Sequence, residues 1–106
     1  MVAVRTPVCG TLGIDQPIVQ APMAAIPELA AAVSNAGALG MVTLTWSDDA
    51  GAVVRQTAAR TTRPFGGNLV LTEDQHHRLG QALEAGLRIA SFFLFRRRVR
   101  PSAGSA

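Results

Sequence analysis

Residues 17–23 read PIVQAPM and residues 33–40 read VSNAGALG. The first run is short, apolar and bounded by prolines, which is typical of a buried strand. That strand should end at Pro22, because proline cannot donate to a sheet ladder. The second run predicts the end of a helix that begins near Pro27, since glycine is favoured just beyond helix ends. A strand over residues 39–44 follows directly, so this region predicts a β-α-β unit.

The same alternation continues along the chain. Residues 47–49 (SDD) predict a helix N-terminus, and the Arg63-Pro64 pair predicts the end of that helix. A third strand over residues 65–71 precedes a helix that opens at Thr72 with capping-box spacing to Gln75. A fourth strand covers residues 89–95. The order β-α-β-α-β-α-β predicts neighbouring parallel strands joined by crossover helices.

Two closures suit this pattern, a doubly wound sheet and a (β/α)8 barrel. At about 24 residues per unit, eight units reach roughly the 200–250 residues of a typical barrel. The chain would then hold about the first three and a half βα units of a partial TIM barrel.

Helical spacing also assigns an inner apolar face to each helix. The expected inner residues are Leu29, Ala32, Val33 and Ala36 in the first helix, Ala50, Val53, Val54, Thr57 and Ala58 in the second, and Leu79, Ala82 and Leu83 in the third.

The charge of the chain is concentrated in its last residues. The 106 residues are 48% hydrophobic and 16% charged, which indicates a globular domain. All ten basic residues are arginine and four lie at residues 96–100, so residues 1–95 hold six arginines against seven acidic residues, 6 − 7 = −1. We therefore expect an α/β domain at residues 1–95 and a disordered basic tail at residues 96–106. The tail lacks interleaved aromatic residues, which argues against a nucleic-acid partner.

The sequence predicts a cytoplasmic protein without a membrane partner. The N-terminus lacks the pattern of a signal peptide, and no apolar run reaches the roughly 18–20 residues that span a bilayer. Cys9 is the single cysteine, so an internal disulfide is impossible. With no basic residue next to it, Cys9 is expected to be an inert thiol. His76 and His77 are adjacent on a helix, do not share a face, and are expected on a solvated surface.

Two motifs resemble the nitronate monooxygenase family: PIVQAPM with the following PELA and VSNAGALG, and RPFGGNL at residues 63–69. The resemblance covers about residues 5–95. It implies a (β/α)8 barrel with an inserted smaller domain and an FMN cofactor. The implied reaction oxidises alkyl nitronates with dioxygen to a carbonyl compound and nitrite. The resemblance also implies that Ala21, Pro22 and Met23 lie against the flavin ring and that Asn68 hydrogen-bonds it.

The residue types agree with this assignment. Barrel active sites lie at the carboxyl ends of the strands, where residues 21–23 and Asn68 are expected. Small residues and a proline give a rigid edge for a flat ring, and an asparagine offers both a donor and an acceptor. Gly66 and Gly67 would admit a ligand or a neighbouring backbone, or mark a bulge. Without the resemblance, Met23 is simply core filling and Asn68 a turn residue.

The resemblance places the family's catalytic histidine beyond residue 95, so no catalytic residue is assigned. The phosphate site of such barrels comes from the loops after strands seven and eight. We therefore expect a truncated form that is inactive by itself and self-associates through its open sheet edges. The alternatives are a fragment of the similar FMN-dependent enoyl-acyl-carrier-protein reductase barrel, a non-catalytic α/β fragment, and a basic nucleic-acid binder.

Overall fold

The computed structural model describes residues 5–22, 24–71 and 75–93. Within these residues, a parallel sheet in the order β1-β2-β3 is formed by β1 (Gly40–Thr43), β2 (Phe65–Val70) and β3 (Ile89–Phe93). The helices are α1 (Pro7–Leu12), α2 (Pro27–Asn35), α3 (Ala50–Ala58) and α4 (His76–Glu84). The parallel α/β arrangement predicted from the sequence is thus confirmed. None of these helices is both long enough and apolar enough to cross a membrane.

The first predicted strand is reduced to a single bridge. Val19 pairs in parallel with Leu39, next to β1. The backbone bonds on either side run from Leu39 N to Ile18 O and from Gln20 N to Leu39 O, both at 2.9 Å. The next donor of β1, Met41 N, is taken by the Gln20 side chain at 3.0 Å. The Gln20 side chain therefore takes the place of a backbone acceptor for Met41 N, which explains why the strand pairing does not extend over residues 17–23. The parallel direction and the place next to β1 are as predicted.

The inner face predicted for α2 is wrong. The helix buries Pro27, Ala30, Ala31 and Ser34 and leaves Leu29 48% exposed. Ala32 and Ala36, also expected inside, are exposed. The cause is the close approach of α2 to β1, where a Cβ added to Gly40 would lie 1.9 Å from the Ala30 carbonyl oxygen. Only small side chains fit that contact, so residue size decided the orientation of α2.

The other two inner faces are confirmed in part. Ala50, Val54 and Thr57 of α3 are buried, whereas Ala58 is exposed because α3 ends there. In α4, Ala82 is buried and Leu79 packs against the core, but Leu83 is 54% exposed. The helix-facing core contains Ala30, Val42, Leu44, Ala50, Val54, Leu69, Ala82 and Leu87.

The opposite face of the sheet is covered at its amino end by α1. Cys9 and Ile14 pack there against Leu39 and Met41. The two adjacent glycines of β2, Gly66 and Gly67, face opposite sides of the sheet. A Cβ on Gly66 would lie 2.5 Å from Met41 Sδ, and one on Gly67 would lie 2.7 Å from Leu44 Cδ1. Since the strand register is regular, the pair marks no bulge, and neighbouring side chains fill the space that we expected a ligand or backbone to use.

The helix ends agree only partly with the sequence prediction. Asp49 caps α3, its Oδ1 accepting from Ala52 N at 3.0 Å. The stop predicted for α3 at Arg63-Pro64 is several residues late, because the helix ends at Ala58. The predicted capping residue Thr72, the end of the fourth strand at residues 94–95 and the basic tail at residues 96–106 lie outside the described residues.

Candidate functional site at the carboxyl end of the sheet

A polar row crosses the three strands near their carboxyl ends. Thr43 of β1 is in register with Asn68 of β2, which is in register with Ser91 of β3. Because side chains alternate along a strand, these residues share the face of Met41, Gly66 and Ile89, the face that α1 covers at the amino end. Thr43 is 5% exposed and Asn68 is 6% exposed. This face of the sheet is thus apolar at its amino end and polar at its carboxyl end.

The hydrogen bonds of Asn68 leave one of its two polar atoms unused. Its Nδ2 donates to Ser91 Oγ at 2.7 Å and to the Ser91 carbonyl oxygen at 3.3 Å. Because a carbonyl oxygen can only accept, the amide nitrogen must be the atom that faces β3. No described residue donates to Asn68 Oδ1, and the Thr43 hydroxyl has no hydrogen-bond partner among the described residues either. The row therefore presents an acceptor and a hydroxyl that a polar ligand can engage.

The loop after the first bridge lies at this same end. Thr43 N donates to Ala24 O at 3.4 Å, which brings Ala24 beside the polar row. Ala21 is exposed and Pro22 is half-buried, so both are accessible next to the row. Ala21 and Pro22, two of the residues that the resemblance implied as ring contacts, therefore lie at the same end of the sheet as Asn68. Met23 lies outside the described residues, and its position relative to Asn68 stays a prediction.

The loop after β1 is fixed to its neighbours and exposes a tryptophan. Leu44 N donates to Asn68 O at 2.9 Å, and Thr45 Oγ1 accepts from Val70 N at 2.9 Å. From α4, Arg78 Nε donates to Ser47 O at 3.0 Å. Between these anchors Trp46 is 75% exposed.

Sequence reasoning did not identify Thr43, Ser91, Gln20 or Trp46. The signal in the sequence was a polar residue two positions after a residue of the face that α1 covers. Because side chains alternate along a strand, residues two positions apart lie on the same face. For Trp46, the signal was an aromatic residue directly after a strand end.

The remaining candidates from the sequence, His76, His77 and Cys9, lie outside the polar row. His76 and His77 are exposed on α4, and His77 Nε2 lies 3.1 Å from Gln81 Nε2. Among the described residues, no group of three His, Cys, Asp or Glu side chains could hold a metal ion. Cys9 is fully buried, with its Sγ 3.8 Å from Thr6 Oγ1. Burial keeps this thiol away from solvent and dissolved reagents.

A cleft of about 660 Å³ opens at the opposite, amino end of the sheet. It is lined by residues 10–13 of α1 and its C-cap, residues 61–65, and Gly86, Arg88 and Ile89. It contains none of the residues predicted to bind a cofactor. Arg63, one of its charged residues, is paired with Asp15 at 3.0 Å. In barrel enzymes the amino end serves stability and the carboxyl end carries the chemistry, so the candidate site is the polar row and not this cleft.

The chain is similar to solved TIM-barrel enzymes. FabK from Thermotoga maritima superposes with a TM-score of 0.77 at 33% identity, over 84% of this chain and 30% of that one. The parallel sheet described above is therefore part of a barrel architecture.

The sequence comparisons find relatives in the family that the two motifs resemble. A nitronate monooxygenase from Pseudomonas aeruginosa is 48% identical over 75 residues, which are 67% of this chain and 20% of that protein. A nitronate monooxygenase from Paraburkholderia phytofirmans is 53% identical over 62 residues, 55% of this chain and 17% of that protein. The chain thus spans about a fifth of the length of these relatives.

A relative that is less similar but matches more of the chain has a different enzyme name. The (3aS,4S,5R,7aS)-5-hydroxy-7a-methyl-1-oxo-octahydro-1H-indene-4-carboxyl-CoA dehydrogenase from Rhodococcus jostii is 33% identical over 100 residues, 89% of this chain and 28% of that protein. The family model described as Nitronate monooxygenase matches residues 5–87, well over half of the 106 residues. The chain belongs to the nitronate monooxygenase family.

Proposed function

We propose that this chain contributes the ring-binding part of an FMN-dependent oxidoreductase that oxidises alkyl nitronates with dioxygen to a carbonyl compound and nitrite. The observation that carries the proposal is the free Asn68 Oδ1 in a polar row at the carboxyl end, next to Ala21 and Pro22. The family match supports the reaction class.

The residues present fit a flavin ring. An isoalloxazine ring has an N–H that needs an acceptor, and Asn68 Oδ1 is an acceptor held in place by two bonds from its own amide nitrogen to Ser91. The Thr43 hydroxyl can serve either as donor or as acceptor. Residues 21–23 would form the edge against the ring, with Ala21 and Pro22 leaving room for its close approach. When bound, FMN would supply the redox chemistry, while these residues orient it.

The test is equilibrium binding of riboflavin to the 106-residue chain, followed by flavin fluorescence anisotropy. We expect weak but saturable binding, which the Asn68→Ala variant reduces by about two- to tenfold, the value of one hydrogen bond. Absence of saturable binding, or an unchanged affinity in this variant, would refute the proposal.

Asn35→Ala is a matched control at the amino end. Asn35 also uses its amide in two hydrogen bonds, from Nδ2 to Arg60 O at 3.4 Å and from Thr61 Oγ1 to its Oδ1 at 2.6 Å. Both alanine variants should lower the free energy of unfolding by about 1 kcal/mol. Only Asn68→Ala should change riboflavin affinity, which separates loss of a ligand contact from loss of stability.

A second candidate reaction is oxidoreduction of an acyl thioester, the substrate class of the enoyl-acyl-carrier-protein reductase alternative. The similarity to the carboxyl-CoA dehydrogenase from Rhodococcus jostii favours it. The higher identity to nitronate monooxygenases, 48–53%, favours the nitronate reaction. Nitrite release from propyl nitronate, compared with NAD(P)H oxidation in the presence of an enoyl thioester, distinguishes the two in a protein that contains the whole barrel.

We also expect the 106-residue chain to self-associate. Ile18 and Val19 at one side of the sheet are each 55% exposed, and Phe92 and Phe93 on β3 are 51% and 56% exposed. Both sides are apolar and can each accept a parallel strand, so a second copy can cover them. Light scattering after size-exclusion chromatography should show a dimer or larger species. A monodisperse monomer at micromolar concentration would contradict this expectation.

A further inference from the structure

We propose that Trp46 is an aromatic wall of the ligand site and stacks against the planar flavin ring. This inference rests on the proposed function and adds a ring contact beyond residues 21–23 and Asn68. It starts from the exposure of the side chain, which at 75% is the largest among the exposed large apolar residues of the described chain.

The position of Trp46 in the fold separates it from the exposed apolar residues at the sheet sides and on α2 and α4. Ile18 and Val19 lie at the bridge on one side of the sheet and Phe92 and Phe93 lie in β3 on the other, where further barrel units would cover them. Leu29 and Leu83 lie on helices, which neighbouring helices would cover. Trp46 lies in the loop after β1, at the end of the sheet where barrels bind ligands, so the packing of further barrel units does not account for it.

The backbone that carries Trp46 is held in place. Ser47 N donates to Leu44 O at 3.2 Å, which closes a turn with Thr45 and Trp46 at its centre. Thr45 is only 3% exposed and accepts from Val70 N. Arg78 binds Ser47 O from α4. An aromatic residue on a preorganised loop loses little conformational freedom on binding, so its contact contributes fully to affinity.

The order of the strands puts this loop where a ring would pass. The bridge at Val19, β1 and β2 are consecutive neighbours, so the loop with Trp46 lies between Ala21, Pro22 and Ala24 on one side and Asn68 on the other. Two strand spacings separate the outer pair, about 10 Å. Three fused six-membered rings have a similar length, so a flavin that reaches both Ala21 and Asn68 must pass beside the loop with Trp46.

The sequence provides a clean probe for this contact. Trp46 is the single tryptophan and the chain has no tyrosine, so its ultraviolet emission reports this one position. Riboflavin is titrated into the 106-residue chain while both Trp46 emission and flavin anisotropy are followed, with N-acetyltryptophanamide as the correction for absorbed light. We expect saturable quenching of Trp46 with the same midpoint as the anisotropy change.

Two substitutions test the energetic contribution of the ring. Trp46→Ala should weaken riboflavin binding by about three- to tenfold, and Trp46→Phe should recover most of the affinity because it keeps an aromatic face. Leu83→Ala is the control, since it removes a comparably exposed apolar side chain from α4. Circular dichroism melting of each variant establishes that it is folded.

The outcomes separate this inference from the proposed function. If riboflavin binds and Asn68→Ala weakens it, while Trp46 emission and the affinity of Trp46→Ala do not change, the inference is overturned and the proposed function stands. If riboflavin shows no saturable binding at all, both are overturned. Quenching with a matching midpoint and a selective loss in Trp46→Ala supports both.

Discussion

The amino and carboxyl ends of the sheet differ in whether their polar groups have partners within the protein. At the amino end, polar groups are paired within the protein: Asp15 with Arg63 at 3.0 Å, and Thr61 Oγ1 with Asn35 Oδ1 at 2.6 Å. At the carboxyl end, the Thr43 hydroxyl and Asn68 Oδ1 have no partner among the described residues. An end whose polar groups satisfy one another contributes stability. An end that leaves an acceptor and a hydroxyl unused can bind a polar ligand.

The largest effect is expected from Gly40→Ala at the amino end of β1. The new Cβ would lie 1.9 Å from the Ala30 carbonyl oxygen, so α2 must move away from the sheet. Such overpacking against backbone should lower the free energy of unfolding by about 3 kcal/mol or more, a large part of the stability of a chain of this size. Urea denaturation followed by circular dichroism measures it.

Gly80→Ala provides the control for that substitution. Gly80 lies within α4 with no atom inside 4 Å of the new Cβ. Alanine there should stabilise the protein by about 0.5–1 kcal/mol, since glycine is unfavourable inside a helix. A Gly40→Ala variant as stable as the parent would mean that α2 is not seated on β1 as described.

The second prediction compares two threonines at opposite ends. Thr61 accepts from Arg63 N at 3.1 Å in addition to its bond to Asn35. Thr61→Val should therefore cost about 1–3 kcal/mol of stability by leaving these groups unpaired, and should not change riboflavin affinity. Thermal and urea unfolding measure the first effect, and flavin anisotropy the second.

Thr43→Val should show the opposite pattern. Within the part of the chain that the structure describes, the Thr43 hydroxyl has no partner, so valine of similar shape should be neutral or slightly stabilising. Riboflavin affinity should fall by about two- to fivefold if the hydroxyl bonds the ring. Equal stability losses in the two valine variants would remove the difference between the ends of the sheet.

The sequence predicted the order and direction of the elements because these depend on local patterns. Proline and glycine positions marked the strand and helix ends near Pro27 and Gly37, and apolar runs marked β1, β2 and β3. The inner face of α2 was predicted wrongly because hydrophobic spacing ignores size, whereas the contact with Gly40 admits only small residues.

The candidate site was predicted in part for a similar reason. Asn68 and residues 21–23 were predicted as ring contacts from their motifs, and this stays a prediction. Thr43 and Ser91 join Asn68 only through the strand register, which the sequence does not specify. Trp46 became informative only when its exposure and the bonds that hold its loop were known.

The smallest effect should distinguish the ring from the phosphate of the cofactor. A bound phosphate is usually held by charge-assisted hydrogen bonds of about 1.5–3 kcal/mol each, from arginine or lysine side chains or a helix N-terminus. Near the carboxyl end of the described sheet the arginine is Arg78, and its guanidinium already binds Ser47 O and Gln75 Oε1. FMN and riboflavin should therefore bind the 106-residue chain within about twofold of each other, and neither should survive desalting. Competition dialysis with the two flavins gives the ratio directly. If FMN binds tenfold more tightly than riboflavin, the chain carries a phosphate anchor, and the carboxyl end does more than orient the ring.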